Sequence, residues 1–528
     1  MRLQARGHFD CSGIAGRLRC SVPLIVLLFA GAARAQSPPP ADDDKTQAAR
    51  IERLEQLVES VVEENRQLSD RLRSLEPHSD AGSLKASPPL LFETPGTARI
   101  SLDESAPLPA EPQPVLWPDP AATQDLVFNN PVDAFRVGYD NGFVIAARDP
   151  DEDPFSLKIN SQNMFRLNEF VPAAAHWIDS AGNRNPISDS NNFQIPRGRL
   201  IFSGNVFDPN LSYLLSFDYN TVNSNPIGFR AYELSYQFSR AFAVHVGQNK
   251  VPGTREWLES AFAPLEGPDR SMATTFFRPS LSQGIWLTGE PMDGVHYYAM
   301  MSNGFNTLNL RPNQLNNHFC WSGSTWYEPW GDFGRGYADL EDHDEPVVRL
   351  GASYTFALGN GSQSDSDAVE NSAIRLTDGT LITQPGAFAP GVTLTSYDIS
   401  LAAIDLAFKY QGLSLSTEWH LQDLFGLRGT GPLPISSTVA TGGFVQGGCF
   451  IIPQKVELYT RASLVTGRYG TGWESSGGFN WFLIPGQSNL RFTCDAAWLE
   501  NSPASQNRTG YVAGQTGLLI RTQILVSY

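Results

Sequence analysis

The sequence predicts an all-β barrel that spans a membrane, preceded by an α-helical coiled coil. Three observations carry this. After residue 35 no apolar run is long enough to cross a bilayer as a helix. From about residue 125 onward, short segments alternate apolar and polar side chains with period two, between turns rich in Gly, Asn, Asp and Pro. The last such segment, GLLIRTQILVSY, puts Leu518, Ile520, Ile524, Val526 and the terminal Tyr528 in one phase. Lipid offers no hydrogen bonds, so a spanning chain without apolar helices must close its strands on themselves.

The N-terminal residues point to export. Arg17 and Arg19 precede the apolar stretch Val22 to Ala33, and Ala33-Arg34-Ala35 is a small-x-small cleavage pattern. Residues 1–35 are therefore read as a signal peptide, with a mature start at Gln36 and a short polar segment over 36–49. Of five cysteines, Cys11 and Cys20 fall in this leader. Cys320, Cys449 and Cys494 are odd in number and widely spaced, so neither a disulfide framework nor a zinc site is expected. The formal net charge of −17 disfavours a nucleic-acid partner, which needs a basic field.

Residues 50–76 carry a heptad, with Ile51, Val58, Asn65 and Leu72 at a and Leu54, Val61, Leu68 and Leu75 at d. Spacing of 3.5 residues with charges outside predicts a coiled coil, and Asn65 fixes its register at a cost in stability. Leu57 and Val62 widen the apolar stripe, which suits three strands better than two; a dimer stays open. Residues 77–124 are rich in Pro, Ala and Ser without periodicity and are read as an extended linker. The barrel is expected over 125–528.

Strand phase divides the wall into two faces. Leu200, Phe202 and Val206 oppose Arg197, Arg199, Ser203 and Asn205, and Leu211, Tyr213, Leu215 and Phe217 oppose Ser212, Ser216 and Asp218. Asp208-Pro209-Asn210 between them is read as a tight turn. Later segments repeat the split, with Tyr232, Leu234 and Tyr236 against Glu233 and Ser235, and Leu413, Leu415 and Trp419 against Ser414, Glu418 and His420. Apolar faces suit lipid and charged faces a wet lumen. The charges in lumen phase are mixed: Arg197, Arg199, Arg349, Lys409, Lys455, Arg461, Arg491 and Arg521 against Asp218, Glu233, Asp405, Glu418, Glu457 and Asp495. His245 and His420 are read as wall residues, with no partner at metal-ligand spacing. Asp149, Asp151 and Asp153 mimic a calcium loop, but Pro154 and Asn160 replace its Gly and Glu, leaving a solvated turn. No hydrolase, nucleotide-binding or metalloprotease motif occurs, so neither catalysis nor a cofactor is expected.

The stretch Phe193 to Gly304, above all VGQNKVPGTREWLES followed by GPDRS, resembles the phosphate-selective porin O and P family of the outer membrane. The resemblance implies a trimeric barrel of 16 strands whose third loop folds inside to constrict a pore. It places Lys250, Arg255, Glu256, Asp269 and Arg270 in or beside that loop. It does not carry over a phosphate site, because Glu256, Glu259, Glu266 and Asp269 interrupt the basic run. The expected function is passive diffusion of small hydrophilic solutes, with anions or phosphate favoured. Arg197, Arg199, Asp218, Glu233, Arg349, Lys409, Arg461 and Arg491 are expected to line the pore. The alternative is a structural tether from the outer membrane to the periplasm or cell wall through the coiled coil.

Overall fold

The computed structural model describes residues 135–528 except 150–153, 224–226, 263–264, 309, 311–314 and 362–372. The leader, the coiled-coil segment and the linker lie outside the described residues, as does most of the acidic run after Arg148. Among the described residues no helix is long and apolar enough to cross a membrane.

A hairpin, β1 (Phe135–Tyr139) and β2 (Phe143–Ala147), precedes the barrel, which opens with β3 (Ser156–Pro172). The small ladder of β4 (His176–Ile178) with β5 (Arg184–Pro186) sits in the first loop. Next, β6 (Ser190–Gln194) and β7 (Gly198–Val206) pair with successive stretches of β3 as one interrupted strand. The wall continues through β8 (Asp208–Tyr219), β9 (Ile227–Ser239), β10 (Phe242–Lys250), β11 (Leu281–Met292), β12 (Val295–Ser302), β13 (Cys320–Tyr327) and β14 (Val347–Gly361). It ends with β15 (Leu394–Tyr410), β16 (Leu413–Gly429), β17 (Ser437–Ile452), β18 (Val456–Gly467), β19 (Gly470–Phe482), β20 (Leu490–Glu500) and β21 (Gly517–Ser527).

Each strand from β7 onward pairs antiparallel with the next, and β21 returns to β3 from Gly517↔Pro172 to Ser527↔Gln162. Counting β3 and β7 through β21 gives a closed barrel of 16 strands, so the whole wall satisfies its own backbone groups. Tyr528 extends the seam by exchanging backbone hydrogen bonds with Ser161 at 2.6 and 2.9 Å. Just past this point β2 takes over the same edge of β3, with Phe143 opposite Ile159.

The two ends differ. One end has tight reversals at Phe207, 240–241, 293–294, 411–412, 453–455 and 483–489. The other carries long connections, among them 251–280, 303–319, 362–393 and 501–516. Short turns on one side and long loops on the other are usual in outer-membrane barrels. In the 411–412 reversal both residues take the left-handed conformation (φ 47° and 76°), the geometry that a two-residue hairpin needs. The reversal expected at Asp208-Pro209-Asn210 falls one residue earlier, on Phe207 with φ 65°. Asp208 instead opens β8, where its Oδ1 accepts Asn210 N–H at 2.7 Å, and Pro209 is tolerated at a strand start. Two connections break the asymmetry: at the tight-turn end, residues 328–346 join β13 to β14, and at the other end only 468–469 join β18 to β19.

The phase read from the sequence is the phase of the wall. Leu234, Trp321, Tyr354, Ile404, Leu413, Trp419 and Trp473 point outward and are exposed, while Glu233, Thr355, Glu418, His420 and Glu474 point inward and are buried. Apolar packing also occurs inside the barrel. Met272, Phe276 and Phe277 of the third loop (251–280) form a cluster with Ile374, Leu376 and Phe388 of the fifth (362–393) and Ala504 and Tyr511 of the eighth (501–516).

Candidate functional site

The third loop, 251–280, leaves the wall because Pro252 and Pro279 cannot donate to a ladder where β10 ends and β11 begins. It runs through the lumen and is buried almost throughout. Two short helical turns stiffen it, Arg255–Leu258 and Met272–Phe277. Thr254 caps the first by accepting Trp257 N–H at 3.2 Å, and Ser271 caps the second by accepting Thr274 N–H at 3.1 Å.

The loop is held by charges of both signs. Glu418 on β16 accepts the amides of Arg255 and Glu256 at 2.7 and 3.0 Å, and Glu474 on β19 accepts that of Met272 at 2.9 Å. Guanidinium groups take the loop's carbonyls: Arg491 that of Leu265 (2.9 Å), Arg166 that of Pro268 (2.8 Å) and Arg461 that of Asp269 (3.0 Å). Asp269 is the central ion pair, with Oδ2 accepting from Arg166 at 2.8 Å and Arg197 at 2.5 Å. Burial alone would raise the Asp269 carboxyl, but Arg197 and Arg166 hold it well below the usual carboxylate range.

At the end of β10, Lys250 Nζ donates to the loop carbonyls of Leu258 and Glu259, both at 3.0 Å. Arg270 Nε donates to Glu256 O at 3.0 Å, and the Glu256 carboxylate accepts Ser271 Oγ at 2.7 Å. Lys250, Arg270 and Arg278 all lie over the buried Trp257 ring, 4.2 to 5.2 Å from its centre. The five residues that the resemblance assigned to the constriction loop thus form one connected network.

The expected pore-lining residues face inward. Arg199 lies 3.5 Å from Asp218, which also accepts Arg508 of the eighth loop at 2.6 Å. Glu233 accepts Ser235 Oγ and Asn249 at 2.6 and 3.0 Å, with His245 Nδ1 at 2.7 Å. Arg349 lies between Asp405 and Glu328 and over Trp326; Lys409 donates to Arg335 O at 3.0 Å and lies 3.4 Å from Glu341. Arg461 binds Glu474 at 2.8 Å. Arg197, Arg199, Asp218 and Lys409 are 0 % exposed and Arg491 is 1 % exposed, so inserted loops fill the lumen at their level. Lys455 does not belong with them. It lies in the 453–455 reversal, because β17 ends at Ile452 and the alternation stops there.

Arg166, Glu474 and Arg508 complete the network without having been singled out in the sequence. Arg166 shares the inward phase of Asn160, Gln162 and Asn168, and Glu474 that of Ser476 and Asn480, so period two held their signal. Arg508 sits in an aperiodic loop and had none. His245 and His420 both face inward, the first stacked on Trp286 at 5.5 Å and the second 5.1 Å from Phe277. Among the described residues Cys320, Cys449 and Cys494 form no disulfide.

No protein-family profile matches the chain. No curated protein matches it either. Solved structures similar in shape include OmpF of Salmonella typhi in complex with daunomycin, at 11% identity and TM-score 0.45, covering 74% of this chain and 100% of that one. OprB of Pseudomonas putida has 8% identity and TM-score 0.44, covering 70% and 94%. Outer-membrane expressed OmpT of Vibrio cholerae has 11% identity and TM-score 0.40, covering 74% and 99%. Likeness at this level carries no argument about function, and the 16-stranded barrel stands on its own strand pairing.

Proposed function

We propose that the protein is an outer-membrane channel for small hydrophilic solutes, with loop 251–280 as its constriction. The observation that carries this reading is the division of one closed wall into an exposed apolar outside and a charged inside crossed by that loop. Exposed apolar side chains around a closed sheet are costly in water and suited to lipid.

Anion preference is part of the proposal. Arg166, Arg197, Arg199, Arg461, Arg491 and Arg521 occupy or adjoin an arc from β18 through β20, β21 and β3 to β7. Arg199 pairs with Asp218, Arg461 with Glu474 and Arg521 with Asp495, while Arg166 and Arg197 share Asp269, so the guanidiniums outnumber their closest carboxylates and the arc attracts anions through that excess. Trimeric assembly, which rests on the resemblance, and a periplasmic coiled coil over 50–76, which rests on the heptad, belong to the same proposal.

Swelling of liposomes that contain the purified full chain tests the channel. Entry of small neutral and anionic solutes, falling with solute size, supports it. A chain that fractionates with the outer membrane and passes nothing would leave the tether as the surviving function.

A further inference from the structure

The 328–346 connection is out of place. It is a 19-residue segment at the end where the other reversals are short, and it folds into the barrel. Phe333, Tyr337, Ala338 and Asp339 are at most 1 % exposed. Tyr337 packs with Phe444 and with Leu265 of the constriction loop. Phe444 is the eighth of the sixteen residues of β17, so Tyr337 reaches about half the height of the wall.

Two anchors hold the segment there. At the wall, Asp339 Oδ2 accepts Gly412 N–H at 2.7 Å, His343 Nδ1 lies 2.5 Å from Asp339 Oδ1, and Lys409 donates to Arg335 O at 3.0 Å. At the constriction loop, the Arg255 guanidinium lies 4.5 Å from the Tyr337 ring centre and 5.1 Å from that of Phe333, and donates to Gly336 O at 3.4 Å. Arg255 begins the helical turn whose amides Glu418 holds. The segment therefore meets the constriction loop from the tight-turn side.

We propose that residues 328–346 are an internal plug, which narrows the channel from its tight-turn mouth and braces loop 251–280. The proposal rests on the channel reading above. It differs from a constriction, because a single-sided loop narrows a passage whereas this segment meets it from the opposite mouth. It is seated on the wall as well as on the loop, because Lys409 reaches Arg335 O, Glu341 and the Phe333 ring and Gln411 N–H donates to His343 O at 2.9 Å.

The test uses the full chain in planar bilayers with two variants. In one, residues 329–345 are replaced by a four-residue Gly-Ser link. In the other, Phe333→Ser with Tyr337→Ser keeps the chain length and removes the faces that Arg255 packs on. Heat-modifiable migration on gels identifies folded barrels. Severalfold higher mean conductance for the folded variants than for the parent is expected. Folded variants that conduct as the parent does would overturn the plug and leave the channel standing. Silence of the parent and both folded variants would overturn the channel reading and the plug with it.

Discussion

Two parts of the lumen wall grip the same loop by opposite chemistry. On β16, Glu418 takes the amides of Arg255 and Glu256 where the loop enters. On β3, β18 and β20, arginines take the carbonyls of Pro268, Asp269 and Leu265 in its middle. The difference lies in what happens to the charge. A carboxylate that caps two amides meets only the partial positive charge of an open helical turn, whereas the arginines also meet full countercharges, Asp269 shared by Arg166 and Arg197, and Glu474 beside Arg461. Backbone bonds thus position the loop on both walls, and on the arginine side ion pairs are added to them.

Asp269→Asn should break this comparison with the largest effect. It leaves Arg166 and Arg197 buried without their shared carboxylate, a loss of about 3 to 5 kcal/mol for a buried pair. Thermal melting in detergent should drop accordingly, and noisy, wider conductance steps should mark a released loop. An unchanged melt would show that the pair contributes nothing. Glu418→Ala removes two charge-assisted bonds to backbone N–H, so a smaller loss of about 1.5 to 3 kcal/mol is expected. Faster proteolysis of the loop near Arg255 is the readout, and the arginine-held middle should stay protected.

Glu266 gives the smallest effect and a sign. Burial first, and then Glu457 beside it, push this loop carboxyl above its ordinary value of 4.5. The native state then keeps a proton that the unfolded chain has lost, so this group's contribution is present at low pH and fades as pH rises above the ordinary carboxyl range. Glu266→Gln should flatten the decline of melting temperature with rising pH. A steeper decline in the variant would contradict it.

Much of this was legible in the sequence, because a barrel wall is its own alternation. Leu200 against Arg199 and Trp419 against Glu418 fix inside and outside residue by residue, and a one-residue slip would reverse every side chain. The strand number and the inward third loop were legible through resemblance rather than periodicity. What stayed hidden belongs to segments without a period. The apolar cluster joining Phe276 to Leu376 and Tyr511 is assembled from three loops far apart in sequence. Arg508 and the aromatic pair Phe333 and Tyr337 gain meaning only once the chain returns them to the lumen. Lys455 shows the converse error, in which alternation was extended past the end of a strand.

The proposed anion preference rests on the field of the arginine arc around the loop-filled lumen. The most direct test is the reversal potential of the full chain in a planar bilayer across a salt gradient, compared with Arg197→Glu/Arg199→Glu. The double variant changes the local charge from plus two to minus two and sets both new carboxylates beside Asp269 and Asp218. The account predicts anion selectivity in the parent, a shift toward cations in the folded variant, and a smaller difference at high salt as screening shortens the field. A folded variant with the parent's reversal potential at low salt, or a cation-selective parent, would contradict it.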